Sequence, residues 1–379
     1  MKKTGPRPVY FPQLDGLRAI AILAVIFEHW IPEFFSAGFS IPLPFKIVGG
    51  ESRLNFLFSK TTLFAGVFGV HLFFVLSGFL IGNILIRQRE AIEQGIGTYW
   101  QAIRNFYARR TIRIFPIYYL VVFILIVTNW AGFMRDIAPW LLTYTFNVKI
   151  YLASYFYPPI THLWTLACEE QFYLLLPPIL LLSPLRRIPV TIACFIVFSW
   201  LFRFLIQAFG PGNPTLVFFL GPAVFDKFSL GLLLAWFGFI GKKIPYRIPA
   251  MFAGFALFFI CGFIENVIPG RTFIQLSAVS IAFACLTDLC AEGFKGFTGR
   301  VLTSKPMVWI GRVSYGLYLY HCFVPPLVLR FFWFTGLHVP GTIVKTGVDT
   351  LVLLLVTYLS FWYIETPVNR LKSAFAYKG

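Results

Sequence analysis

Arg18 and His29 stand eleven residues apart in the first long apolar stretch, GLRAIAILAVIFEHW. In a helix, eleven residues make three turns plus about 20°, so both side chains leave from nearly one face, roughly 16 Å apart along the axis. A guanidinium at one mouth of an apolar helix and an imidazole deep within it point to a polar path with something chemical at its deep end; the plainer alternative is that a lone histidine on an apolar helix is a satisfied packing residue. A second constellation is FYARRTIRIFPIYYL, where Arg110 and Arg113 lie three residues apart and Arg109 and Arg113 four apart, all on one helix face. Guanidiniums grouped in this way suit a polyphosphate, because each offers a planar fork to phosphate oxygens. Basic residues also anchor the ends of membrane helices, and the spacing serves both readings equally. The third is THLWTLACEEQFYLLLPP, with Glu169 and Glu170 adjacent, Gln171 beside them, and His162 and Trp164 just before. Neighbouring carboxylates in an apolar segment repel, so one pairs with a cation or keeps a proton. Carboxylates near an imidazole are what proton abstraction from a hydroxyl uses; the plainer alternative is an ion pair that joins two helices.

Such groups have to be positioned by the elements around them, and the composition says what these are. The 379 residues are 58% hydrophobic, 19% aromatic and only 12% charged, with a mean hydropathy of +0.77. Too little polar surface remains to cover a water-soluble core. Long continuous apolar runs, rather than alternating ten-residue segments, exclude a membrane β-barrel. The fold class expected is therefore all-α: a polytopic integral membrane helical bundle. Ten spans are predicted, at 16–31, 62–86, 114–133, 163–183, 189–209, 215–240, 248–264, 272–290, 313–335 and 343–365. The piece from Asp136 to Tyr151 is apolar but short and reads as interfacial or re-entrant.

Ten crossings put both termini on one side, and the segments on that side then hold most of the 32 Lys and Arg. They include Lys2, Lys3 and Arg7, the stretch from Arg87 to Arg113, Arg186 and Arg187, Lys242 and Lys243, and Arg370, Lys372 and Lys378. The opposite loops carry few, such as Lys46, Arg135 and Lys149. The bias predicts N-in and C-in. It also accounts for the net charge of +17 without nucleic acid, for which no motif appears. The six cysteines fall in or beside apolar segments, form no CxxC, and read as small apolar residues; no metal site is expected. The basic N-terminus lacks a cleavable-signal pattern, so the first apolar segment reads as a retained helix. No internal repeat, low-complexity tract or long linker divides the chain, and one domain over 1–379 is expected.

The segments LDGLRAIAILAVIFEH, GVHLFFVLSGFLIG, RRTIRIFPIYYL, HLWTLACEEQFYLLLP, SYGLYLYHCFVP and WYIETPVNRL follow one another in an order that resembles the acyltransferase-3 family. These are integral membrane O-acyltransferases of bacterial cell-surface glycans, and the resemblance runs from Asp15 to Arg370. Each motif alone is modest; six in order are specific. The resemblance implies that Arg18 and His29 match the family's Arg/Lys-x10-His signature, with the histidine catalytic. Arg110 and Arg113 match its Arg-x-x-Arg signature, associated with the acyl-CoA donor, and Glu169 and Glu170 match an active-site Glu-Glu-Gln-Phe-Tyr block. Asp226, His321 and Glu365 fall on recurrent polar positions, taken as mostly structural. Asp15, His71, His162, Trp164 and His321 are candidates for supporting roles. One departure stands out: His71 occupies the place of the aspartate in the family's GVDLFFVLSGFL, which changes either a packing partner or the choice of acceptor. Many members carry a second, esterase-like domain, for which these 379 residues leave no room.

The function this implies is transfer of an acyl group, acetyl first among the candidates, from cytoplasmic acyl-CoA to a hydroxyl of an extracytoplasmic glycan. His29 would be the general base, helped by Glu169 or Glu170. Acyl-CoA is then a co-substrate and no cofactor is tightly bound. The expected partners are a glycan or lipid-linked saccharide and the bilayer of the bacterial cytoplasmic (inner) membrane, with no nucleic acid. The competing reading is a transporter or flippase for a glycan or lipid-linked sugar, which would also explain many helices and intramembrane charges. Transporters of that kind often show inverted repeats, and none is visible here.

Overall fold

The computed structural model describes residues 10–36, 53–263 and 271–377, with Lys2, Lys3, Arg7, Lys46 and Lys378 outside them. Among the described residues the fold is entirely helical. In chain order the α-helices are α1 (Pro12–Ser36), α2 (Arg53–Glu93), α3 (Tyr99–Val127), α4 (Ala138–Leu142), α5 (Phe146–Ala153), α6 (Trp164–Leu182), α7 (Ile188–Phe209) and α8 (Gly221–Phe239). They continue as α9 (Arg247–Phe263), α10 (Arg271–Glu292), α11 (Gly296–Leu302), α12 (Lys305–Arg312), α13 (Ser314–Tyr320), α14 (Val324–Thr335), α15 (Thr342–Ser360) and α16 (Thr366–Asn369).

Among the described residues, seven helices are long and apolar enough to cross a membrane, or eight if α13 and α14, bent by 52° at a short break, form one span. Each of the ten apolar segments picked from the sequence is helical over most of its described length. The segment from Asp136 to Tyr151 folds into the short helices α4 and α5, in keeping with its length. The stretch from Arg87 to Arg113 was expected as a loop and is almost all helix: α2 runs on to Glu93, and α3 begins at Tyr99, where the Thr98 side chain accepts from the Gln101 backbone N–H. Arg109, Arg110 and Arg113 therefore sit on a continuous helix. Large apolar side chains such as Phe123, Phe204, Phe209, Leu351 and Leu355 stand exposed on α3, α7 and α15. Surfaces of this kind are stable only against lipid.

The helices sort into two compact units. One comprises Phe74–Tyr246 with Leu359 onward; the other comprises Phe11–Phe73 with Arg247–Tyr358. In the first, α6 packs on α3, α5 and α8. Phe172 stacks on Phe228 at 4.5 Å between ring centroids, with Phe225 and Phe195 around them. Gly78 lies where any Cβ would strike the Phe228 backbone, which accounts for the glycine of LSGFL. In the second, α9 and α10 pair, and Phe68 packs on Phe255, Phe258 and Phe283. There α1 lies along α10, α11, α12 and α13. Gly16 meets the Leu302 backbone and Gly311 the Asp15 backbone, while Gly69 of α2 meets Ala21 and Val25, so α1 is approached closely from several sides.

The first unit also buries an ionic cluster between α7 and α8. Arg203 Nη2 donates to Asp226 Oδ2 at 2.8 Å, Lys227 Nζ to Asp226 Oδ1 at 2.8 Å, and Ser199 Oγ to Asp226 Oδ1 at 3.2 Å. Both cations are 0% exposed. Asp226 thus has a structural place, as the sequence suggested. Removing one partner of such a buried group strands the others. Asp226→Ala is expected to destabilise the protein by about 3–5 kcal/mol, read as thermal unfolding in detergent. A triple change of Arg203, Asp226 and Lys227 to apolar residues should recover much of the loss; a single variant as stable as the wild type would refute the assignment.

Candidate functional site

Within the second unit, α1 carries both Arg18 and His29 on one unbroken helix, as their spacing predicted. His29 is partly exposed, its side chain at 33%. Its Nδ1 lies 2.9 Å from the Val25 carbonyl oxygen and 3.1 Å from Oε2 of Glu28. A carbonyl can only accept, so Nδ1 carries the proton and donates it. The neutral ring then keeps its lone pair on Nε2. Glu28 is the residue that the sequence reading passed over. It stands next to His29 as the one acidic residue of an otherwise apolar turn, which is a readable signal. Space for its side chain comes from Gly66 of α2, where a Cβ would collide with the Glu28 carboxylate.

The break between α13 and α14 supplies the other side of the histidine. His321, fully buried, lies edge-on to His29 with ring centroids 4.9 Å apart. Its Nδ1 donates to the Tyr318 carbonyl at 2.6 Å, and its own carbonyl accepts from Trp30 Nε1 at 2.9 Å. Cys322 Sγ lies 3.3 Å from His321 Nε2. His321 was placed among structural or supporting positions; the structure brings it against His29. No spacing rule could have joined residues so far apart in the chain.

Arg18 approaches Asp15, with Nη1 3.9 Å from Oδ1, and Arg312 Nε lies 3.8 Å from the other carboxylate oxygen. Asp15 is thus the anion between two guanidiniums at the start of α1. His71, the departure from the family pattern, is buried, and its Nδ1 donates to Ser280 Oγ at 2.9 Å; that hydroxyl in turn donates to the Leu276 carbonyl. This is a packing partnership between α2 and α10.

The first unit holds the other two constellations together. The Arg110 guanidinium lies 4.2 Å above the ring of Tyr173, and its charge acts on Glu170 and on Tyr173. Tyr173 O–H donates to Glu169 Oε2 at 3.0 Å and accepts from the Ser77 hydroxyl. Having one proton to give, Tyr173 fixes the direction of this chain: Ser77 to Tyr173 to Glu169. Glu170 Oε1 is buried with no hydrogen-bond partner among the described residues. Tyr173 is four residues after Glu169 and so on the same face of α6, a signal the sequence reading did not use.

Gln171 plays a different part. Its amide exchanges hydrogen bonds with the Asn147 amide at 3.0 and 3.2 Å and donates to the Tyr144 carbonyl at 2.9 Å, tying α6 to α5. His162 is buried, its Nδ1 3.1 Å from the Pro159 carbonyl, and Trp164 packs on Phe74 and Phe219. Both serve local packing at the start of α6.

The basic face of α3 gains a partner from the C-terminal segment. Arg109 Nη1 donates to the Lys372 carbonyl at 3.0 Å and stacks 5.0 Å from the Tyr377 ring centroid, and Asn105 donates to the Ala376 carbonyl at 2.8 Å. Burial pushes the Tyr377 phenol above its ordinary range, against the pull of Arg109 and Arg110. Arg113 and Lys372 are electrostatic neighbours of Glu365, which is buried at the end of the π-type turn Phe361–Glu365. Arg109, Arg110, Arg113 and Lys372 therefore act on one another as a single cationic group. Lys372 joins it only through tertiary contact.

Comparison with known proteins bears on this arrangement. The family described as an acyltransferase domain matches residues 11–366. The peptidoglycan O-acetyltransferase OatA of Listeria monocytogenes is 27% identical over 95% of this chain and 56% of its own length. The O-acetyltransferase OatA of Staphylococcus aureus is 27% identical over 96% of this chain and 58% of its own. The chain thus spans a little over half the length of these relatives. No solved structure matches it. With nearly its whole described length matched, this chain belongs to the acyltransferase-3 family.

Proposed function

We propose that this protein transfers an acetyl or related acyl group from acyl-CoA to a hydroxyl of a cell-envelope glycan. The glycan class follows the relatives, which are named as O-acetyltransferases, one of them of peptidoglycan. The observation that carries the reading is the state of His29: with Nδ1 donating to Val25 and flanked by Glu28, its Nε2 is left as the proton acceptor. In the proposed step, Nε2 takes the proton of the acceptor hydroxyl as its oxygen attacks the thioester carbonyl carbon. The carbon–sulfur bond breaks, and the imidazolium returns the proton to the departing CoA thiolate. Glu28 stabilises the imidazolium formed between those events. A positioned base of this kind contributes about 10²–10⁴-fold.

The donor's phosphates are assigned to the cationic group of Arg110, Arg113 and their neighbours in the first unit, where several guanidiniums share few carboxylates. Glu170 and the Tyr173 ring hold Arg110 in place, and the hydroxyl chain from Ser77 through Tyr173 to Glu169 orients that ring. Arg18, beside Asp15 and Arg312, is a further candidate for donor phosphate. An N-in, C-in arrangement in the bacterial cytoplasmic membrane, with donor on the inner face and glycan on the outer, fits the distribution of Lys and Arg.

Two tests follow, both in proteoliposomes with labelled acetyl-CoA and a soluble glycan acceptor. His29→Ala should lower turnover by at least about 10²-fold with donor binding retained, whereas Arg110→Ala and Arg113→Ala should raise the donor KM first. A His29→Ala protein that acylates at the native rate defeats the assignment. Glu28→Ala should lower kcat and kcat/KM alike, by about tenfold or more, and Gly66→Ala should act in the same direction by displacing that carboxylate. An unchanged kcat in both variants would remove Glu28 from the mechanism.

A further inference from the structure

Acyl transfer by His29 leaves a second property of its surroundings unused. The potential ligand atoms of His29, His321 and Cys322 all lie within 4.8 Å of one another. Each imidazole has its Nδ1 on a backbone carbonyl, Val25 for His29 and Tyr318 for His321. Both neutral rings therefore carry their lone pair on Nε2. This is the state a metal-ligating histidine adopts, with the other ring nitrogen donating to a carbonyl or carboxylate that fixes the ring. Glu28 Oε2, 3.1 Å from His29 Nδ1, adds an anion behind the first ring. Trp30, donating to the His321 carbonyl, holds the second ring's backbone against α1.

Two imidazole nitrogens and a thiol are borderline-to-soft donors. They favour zinc and its chemical neighbours over magnesium or calcium, which want oxygen. Three protein ligands leave one tetrahedral position for water. The backbone supports the same reading: the break that presents His321 and Cys322 is non-helical chain between two apolar helices, which membranes tolerate where protein or a polar cavity surrounds it. Composition and spacing make all six cysteines small apolar residues, and Cys322 departs from that because the fold sets it beside two imidazoles.

We propose that His29, His321 and Cys322 form a binding site for a soft divalent transition-metal ion such as Zn²⁺, and that its occupancy switches off acyl transfer. Binding exchanges the Cys322 thiol proton for the metal: a metal–sulfur bond forms, one proton leaves to solvent, and nothing is oxidised or reduced. Inhibition follows because the ion takes the Nε2 lone pair that the acceptor proton needs. That second half rests on His29 being the general base; the binding site does not.

The test uses the full chain purified in detergent, with Co²⁺ as spectroscopic probe and Zn²⁺ as competitor. Wild-type protein should show a thiolate-to-cobalt charge-transfer band that Zn²⁺ abolishes. Cys322→Ser should lose the band, and His321→Ala should weaken Zn²⁺ binding by about tenfold or more. Bands of equal strength in wild type, Cys322→Ser and His321→Ala would overturn the site. In the transfer assay, Zn²⁺ should suppress wild-type turnover and a chelator restore it, while Cys322→Ser keeps its basal rate and resists Zn²⁺. Metal bound at these residues with turnover unaffected would overturn the inhibitory half. A His29→Ala protein that stays active but loses the cobalt band would leave the metal site standing and remove His29 from catalysis.

Discussion

The hydrogen bond from His29 Nδ1 to the Val25 carbonyl decides which nitrogen of that ring can do chemistry. It is a bond that helix geometry makes available, because the carbonyl four residues back points along the axis toward the side chain. An imidazole on an apolar helix would otherwise be free to flip between tautomers. Here the proton is committed on one side by a carbonyl and a carboxylate, so the basic nitrogen faces the break between α13 and α14. Base catalysis and metal ligation both ask for this state, which is why the two readings share residues and exclude each other in time.

The two units solve the problem of intramembrane charge in different ways. In the first, charge is concentrated: four cations of α3 and the C-terminal segment lie around Glu365 and Glu170, and a separate closed cluster of Arg203, Asp226 and Lys227 is sealed from solvent. The sealed cluster ties α7 to α8, while the other ties α3 to the C-terminal segment through Arg109. In the second, charge is dispersed over separate pairs: Asp15 with Arg18 and Arg312, Arg247 with Asp288 and Glu292, and Lys345 with Asp349.

The parts of this arrangement that were legible in the sequence are those written within one helix. Arg18 and His29 share α1, Arg110 and Arg113 share α3, and Glu169 and Glu170 begin α6, so helical periodicity alone placed each group. Apolar segments announced the helices, although polar residues between Arg87 and Arg113 masked the extension of α2 and the early start of α3. Tyr173 and Glu28 were within reach, each lying one turn or one residue from a residue already singled out. What stayed hidden depends on separate chain segments meeting: His321 and Cys322 beside His29, Lys372 beside Arg109, and Gly66 opening room for a carboxylate on α1. Periodicity carries no information about such meetings, and a glycine in an apolar helix does not say what approaches it.

The 52° bend between α13 and α14 turns an otherwise ordinary apolar run into a bracket. Were 313–335 a straight rod, the Tyr318 carbonyl would be consumed by the Cys322 amide one turn onward, and the His321 ring would find no acceptor there; the His321 carbonyl is left open because Pro325, four residues on, has no N–H. Break and proline together present two oxygens at the level of the histidine on α1, and two side chains occupy them. The kink therefore leaves few orphaned backbone groups while docking one helix onto another through an indole. Straightening that segment, by any agent that thickens the surrounding lipid or rigidifies the chain, would have to undo the indole contact before it could move the imidazole.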